Sequence, residues 1–441
     1  MTKPINAFPG YRYIPRFEID NDHHNVYMGE EVGFGGYVFA IPGMYGRTVC
    51  FDVSGMHPAS IRALNAFGEY TQNFADLVDA RLAIKHKDFE SARKMLDGKL
   101  APYLDDESQA KDLSKALKIC VNSVYGLTSA KFNNPFKDPR NLNNIVALRG
   151  ALFMINLKHE VQKRGFTVIH CKTDSIKVVE PDEEITKFIM EYGEKYSYSF
   201  EIEHIFEKIC LVNDAVYIAK LAEDDPDSPG KWTATGTQFQ VPYVFKTLFS
   251  KEPIVFEDMC ETKSVSKGAL YLDKNEHLPD VSEYEKELKK LEDKYKKGKL
   301  SDITFETECQ RLNDLIEEGH NYQFVGKVGL FCPIKPGFRG AVLYRKQDNK
   351  YHAATGTDGY RWLEATMVKE LEKEDAIDKS YYTKLVDAAV ESISQYGDFE
   401  WFTSDDNEPM PEKLPKDFIS IPDGVDELVP FDTGVEPLPW D

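Results

Sequence analysis

The chain has no Cys-x-x-Cys pair; its seven cysteines, Cys50, Cys120, Cys171, Cys210, Cys260, Cys309 and Cys332, are odd in number and widely scattered. That pattern speaks against a disulfide framework and suggests no zinc site, so a reducing, cytoplasmic setting is expected. No stretch approaches the roughly 18 apolar residues that a membrane helix needs. The opening segment MTKPINAFPGYRYIPRFEID lacks a basic stretch followed by an apolar run, so no secretory leader is expected. A phosphate-cradling glycine loop is missing too. Gly-Lys occurs at Gly98, Gly230, Gly298 and Gly326, never with Ser or Thr after it, so any bound triphosphate must be held by side chains and metal. Basic charge is scarce as well. The net charge of -20 opposes phosphate binding, which runs on Lys and Arg. Residues 403–441, however, hold eleven acids against Lys413 and Lys416 and so carry -9 of it. A local basic surface, not the total, decides the matter.

What is present is a globular composition, 42% apolar and 12% aromatic, over 441 residues, enough for two to four domains. Residues 1–45 read as a small β-rich lead-in, and RTVCFDV (47–53) as a strand running into a turn, with a helix after Pro58. Helical spacing of Phe74, Leu77, Val78 and Leu82 predicts a helix within 70–97. Leu113, Leu117, Val121 and Val124 predict its antiparallel partner over 105–125. A long helix is expected over 143–164, ended by Gly165. FTVIHC and SIKVV then form a hairpin with Lys172-Thr173-Asp174 near its tip. A helix (182–196) and strands (199–219) complete an α+β unit, and the character changes near 240. Beyond lies a charged helical hairpin (281–318), then strands. The acidic, proline-rich tail from 403 is read as disordered or draped on the surface.

Two acids stand out. Asp52 ends a buried strand and Asp174 sits at a hairpin turn, and a carboxylate placed there is costly unless something pairs with it. On adjacent strands they would hold two Mg²⁺ ions and clamp the attacking and leaving oxygens of a phosphoryl transfer. Each alone equally fits a turn cap. Lys111, Lys115, Lys118, Asn122 and Tyr125 share one helical face, and Arg81 and Lys85 share another. Facing one gap, these cations would form a triphosphate clamp; a solvated charged face is the plainer reading.

These stretches resemble the motifs of family B DNA polymerases. DVSGMHPASI (52–61) is similar to the first palm motif, DxxSLYPS. KICVNSVYG (118–126) matches the fingers motif Kx3NSxYG at every fixed position, and CKTDS (171–175) resembles the second palm motif, DTDS. The wording FPGY, GGYV and GYRWLEA is most like phage-encoded members, which implies a host-cell cytoplasmic location. The resemblance implies a right-hand fold of palm (antiparallel sheet plus helices), two-helix fingers and thumb. Residues 1–65 would be the lead-in and first part of the palm, 66–126 the fingers, 127–240 the palm, 241–402 the thumb and C-terminal region, and 403–441 the tail.

Carried over, Asp52 and Asp174 are the metal ligands, helped by the Val53 carbonyl. Arg81, Lys85 and Lys118 bind the triphosphate, Asn122 and Tyr125 line the nascent base-pair pocket, and His57 is a further dNTP-binding residue, at the sugar. The implied reaction is attack of a primer 3′-hydroxyl on a dNTP. The implied partners are primer-template DNA, dNTPs and a separately encoded 3′–5′ exonuclease or replication factor. Only 51 residues precede Asp52, too few for an exonuclease domain, so no proofreading activity of its own is expected. The gaps flanking the fingers motif leave no room for the insertions of protein-primed relatives.

The sequence departs from the family in four places. His57 replaces a tyrosine that excludes ribonucleotides, and Lys172 replaces the first acid of DTDS. Gly33-Phe34-Gly35-Gly36 lacks the tyrosine of the YxGG template element, leaving Gly35 and Gly36. Where a basic KKxY-like element grips the primer, only Tyr217 remains, with Lys220 nearby. Lys172, Tyr217, Lys220, Gly35 and Gly36 are therefore the expected DNA contacts. A catalytically weak, polymerase-like DNA-binding scaffold working with a partner chain is the alternative, and His57 alone suggests an RNA-synthesising enzyme.

Overall fold

Four short strands lead to the first acid: Val26–Tyr27 (β1), Glu30–Glu31 (β2), Val38–Ala40 (β3) and Gly43–Tyr45 (β4). The computed structural model describes residues 26–32, 35–128, 130, 132–134, 136, 145–275, 282–347, 350–357 and 359–404. The expectations for residues 1–25, for Gly33 and Phe34, and for the tail from 405 lie outside them. Thr48–Val53 (β5) is rich in β-branched and aromatic residues and is buried except at Asp52. A tight turn at Gly55, φ +72°, then starts Met56–Leu64 (α1), with Pro58 in its first turn.

The helix expected within 70–97 is two helices, Thr71–Lys85 (α2) and Phe89–Lys94 (α3). The break falls where Lys87 turns left-handed (φ +61°) and the Asp88 carboxylate caps α3 by accepting from the Ser91 N–H. Glu107–Leu127 (α4), capped the same way by Asp106, packs beside α2 through a small core containing Ala80, Ile84, Ala110 and Leu117. Ile145–Lys163 (α5) is buried along most of its length and stops before Gly165, φ +87°.

Val168–Lys172 (β6) and Ser175–Val179 (β7) form the expected hairpin, its tip closed by Thr173 at φ +57°. Glu183–Lys195 (α6), Phe200–Asn213 (β8), Val216–Leu221 (β9) and Trp232–Thr235 (β10) follow. Eight strands join in one curled antiparallel sheet, ordered β10-β9-β8-β5-β7-β6-β3, with β4 also on β8. One face of β5, β6 and β7 buries Val49, Phe51, Val53, Cys171, Ile176 and Val178 against helices α1, α5 and α6. The fold is α+β.

After β10 a second core forms around Trp362, Phe331 and Leu272, between a three-stranded and a four-stranded antiparallel sheet. The charged hairpin is present as Ser282–Lys296 and Asp302–Glu317, clasped by a stack of Tyr295 on Phe305 at 4.0 Å. A third core joins Phe239, Val244 and Phe249 to Ala389, Ile393 and Phe402 against Cys210 and Ile218 of the large sheet. The chain therefore returns to the first sheet through Lys379–Ser394 and Phe399–Thr403.

Candidate active site

Adjacent strands bring Asp52 and Asp174 together. Asp52 pairs with Ser175 of β7 on one side and with Glu201 of β8 on the other. The Val53 N–H donates to the Asp174 carbonyl at 2.9 Å, and the Thr173 N–H to the Tyr37 carbonyl at 2.8 Å, so backbone bonds latch the acid hairpin from both flanks. Gly36 lies against that tip; a Cβ there would meet Thr173 Cγ2 and Oγ1 at 3.4 Å. Gly35 is exposed, with open space around it.

The electrostatics are those of crowded acids. Burial pushes the Asp52 carboxyl up to about 7, repulsion from Asp174, Glu203 and Glu201 adds to the rise, and Lys85 opposes it. Burial also raises Asp174, opposed by a backbone hydrogen bond; Glu203 raises it further and Lys118 lowers it. Glu201 and Glu203 were not singled out from the sequence. Their alternation in FEIEHIF, beside RTVCFDV in the sheet, is the signal that would have found them. A β-bulge sets Glu203: Cys50 faces His204 and Phe51 faces Ile202, leaving Glu203 as the extra residue.

The helical pair supplies cations at the same place. Lys85 ion-pairs with Glu201 at 2.5 Å, with His86 3.6 Å away on the other oxygen. Burial pushes the Glu201 carboxyl up, but hydrogen bonds from Lys85 and Ser54 outweigh it and hold it below its ordinary range. Arg81 is half-buried; burial lowers its pKa while Glu201 raises it, and its Nε has no hydrogen-bond partner among the described residues. Lys118 is exposed and acts on Asp174. Asn122 is exposed one turn further on, and Tyr125 packs on His57 with ring centres 4.5 Å apart. Burial lowers the His57 pKa, and its Nδ1 is likewise without a partner.

Asp52, Asp174, Arg81, Lys85 and Lys118 thus share one neighbourhood through Glu201 and Glu203, and His57 meets Tyr125. Of the expected DNA contacts, Gly36 and Lys172 flank the acid hairpin, whereas Tyr217 and Lys220 lie on β9. Lys172 donates to the Asp214 carbonyl at 3.1 Å, Lys220 is largely buried and ion-paired to Glu207 at 3.4 Å, and Tyr217 is half-buried beside Lys177. Among the described residues no three His, Cys, Asp or Glu side chains gather closely enough to hold one ion, and no helix is long and apolar enough to cross a membrane.

No protein-family model matches this chain, and no curated protein is similar to it. Among solved structures it is similar to the family B DNA polymerase from the hyperthermophilic archaeon Pyrobaculum calidifontis, at 13% identity and a TM-score of 0.39. That likeness covers 81% of this chain and 46% of the polymerase, so the chain spans less than half of that protein's length. So distant a likeness says nothing about activity.

Proposed function

We propose that this chain is a template-directed DNA polymerase of the phage type, extending a primer 3′-hydroxyl with dNTPs. One observation carries the reading: two half-buried acids, raised by burial and crowding, meet the cations Arg81 and Lys85 of α2 and Lys118 of α4, the helix bearing Kx3NSxYG. In this reading the large sheet is the palm, the α2–α4 region the fingers, and residues 241–402 the thumb and C-terminal region.

The donor set suits Mg²⁺. It is all oxygen, with carboxylates whose mutual repulsion a hard cation offsets, and Mg²⁺ commonly uses only one or two carboxylates plus substrate phosphates. Asp52, Asp174 and the Val53 carbonyl would hold two ions, which would supply charge neutralisation at the transferring phosphate. The chain's own groups do the rest. Lys118 and Arg81 bind the triphosphate, and Lys85 must exchange Glu201 for it. The His57 ring and Tyr125 shape the sugar and base pocket with Asn122. Gly35 and Gly36 border the template, and Lys172, Tyr217 and Lys220 lie toward the primer strand. Catalysis is then mainly positioning and electrostatic stabilisation.

The test is extension of a recessed DNA primer with Mg²⁺ and dNTPs, beside Asp52→Asn and Asp174→Asn. Extension by the natural chain, lost by at least a hundredfold in both variants, is the expected result. Lys172, standing where an acid is usual, favours a second reading: a DNA-binding scaffold that needs a partner chain. A folded, DNA-binding natural chain with no extension would select that reading.

A further inference from the structure

A cross-strand row runs through Cys50 of β5, Lys177 of β7 and His170 of β6. Lys177 keeps only 4% of its surface exposed and His170 only 2%. An ammonium so deeply buried needs partners. Lys177 donates to His170 Nδ1 at 3.2 Å and stands 5.1 Å from the centre of the Tyr217 ring. Burial disfavours its charge, but interactions with Cys50, Tyr217 and Glu203 outweigh this and leave its pKa raised. His170 Nε2 lies 3.1 Å from the Asp214 carbonyl. A carbonyl only accepts, so Nε2 carries the ring proton and Nδ1 is left to accept from Lys177. The neutral ring follows from this geometry, and burial and the Lys177 charge agree with it by pushing the His170 pKa down to about 4. Lys172, at the acid hairpin, donates to the same carbonyl at 3.1 Å.

Asp214 begins the turn between β8 and β9, three residues before Tyr217. In the sheet, β5 and β7 separate β8 from β6. The relay Lys177 to His170 to Asp214 is therefore not a ladder bond. It crosses the curl of the sheet and joins two segments that do not pair.

We propose that Lys177 and His170 are positioning residues that lock the Asp214–Tyr217 turn to the hairpin carrying Asp174, so that Tyr217 and the acids form one rigid unit. The lock itself is read from contacts; what the unit handles, a primer terminus beside the acids, rests on the polymerase reading.

The test has one arm without turnover and one with it, both on the full chain. In the first, ¹⁵N-histidine labelling at pH 7, with His170→Gln to assign the signal, shows a neutral Nε2–H ring. Hydrogen exchange across residues 211–217 is then at least tenfold faster in Lys177→Met and His170→Phe. An Nδ1–H ring, or exchange unchanged in both variants, would overturn the lock. In the second arm, both variants lower kcat for primer extension tenfold or more, while the Kd for primer-template DNA moves less than threefold. The double variant is no slower than the slower single, because the two groups act in series. His170→Gln, which keeps an N–H for the carbonyl and an acceptor for Lys177, retains most turnover. Independent, multiplying losses, or a lowered melting temperature with kcat intact, would reduce the pair to ordinary core residues. If the natural chain extends no primer, the polymerase reading fails, and the first arm still decides the lock.

Discussion

Asp52 carries its negative charge at the expense of the metal-free fold. Its carboxyl is raised from 3.8 to about 7 in the folded chain. A raised acid favours folding most at pH below its ordinary value, and that contribution is lost as pH rises through about 7. In metal-free buffer at pH 8, Asp52→Asn is therefore expected to be more stable than the natural chain, by about 1–3 kcal/mol after allowance for solvent screening. At pH 4 the two should agree. Urea midpoints at both pH values measure this, and a less stable variant at pH 8 would refute it. Added Mg²⁺ should shrink the difference by offsetting the repulsion. His57 makes a second expectation. Its ring fills space against Tyr125, so His57→Ala should raise NTP use relative to dNTP use about tenfold, read from paired incorporation rates.

At this scale Asp52 is legible because it ends an apolar strand, and Asp174 because it sits at the turn between two apolar strands. Glu201 and Glu203 are not. Their role depends on β8 lying beside β5 and on a bulge that no local pattern announces. The direction of Lys172 was equally hidden, since its partner is a backbone carbonyl far along the chain.

Among the elements, α6 meets β8 through a contact that tolerates only glycine. A Cβ on Gly193 would stand 2.8 Å from the Tyr198 carbonyl oxygen and 2.7 Å from Phe200 Cδ2. The carbonyl is backbone and cannot swing aside, so α6 or the start of β8 must move, and Glu201 follows Phe200 directly. Gly193→Ala should cost about 2 kcal/mol. It should also weaken Asp52-dependent function more than an equally destabilising change in the second core; matched urea midpoints and extension rates separate the two effects. Helix periodicity made α4, α5 and α6 readable to within a few residues. The break before α3 escaped because a lysine, not a glycine, takes the left-handed position at Lys87. Only the Asp88-x-x-Ser91 cap marked it.

Over the whole molecule, the change of character near 240 is visible in composition, yet Phe239 and Val244 share a core with Ala389 and Phe402. Contacts spanning 150 residues have no local signature, so the return of the chain to its first sheet could not be read in advance. The charge objection belongs to the same scale. A cleft of about 340 Å³ between the two C-terminal sheets is lined by Lys263, Lys267 and Arg345 with Ser264, Ser266 and Thr355, and by no acid among the described residues. Lys263 is tied to Glu261 at 2.7 Å, whereas Lys267 and Arg345 have no acid partner among the described residues. Two cations without an acid partner among the described residues, in a chain of net charge -20, would suit phosphate on the proposed function. If the primer-template duplex passes here, each cation releases about one counterion on binding. The double change Lys267→Glu with Arg345→Glu should then weaken DNA binding and flatten the slope of log Kd against log salt by about 2. Asp52→Asn should leave that slope alone. Anisotropy titrations between 50 and 200 mM salt would measure it. An unchanged slope would route the duplex over another face and leave the acidic surface to be explained by contacts at the large sheet alone.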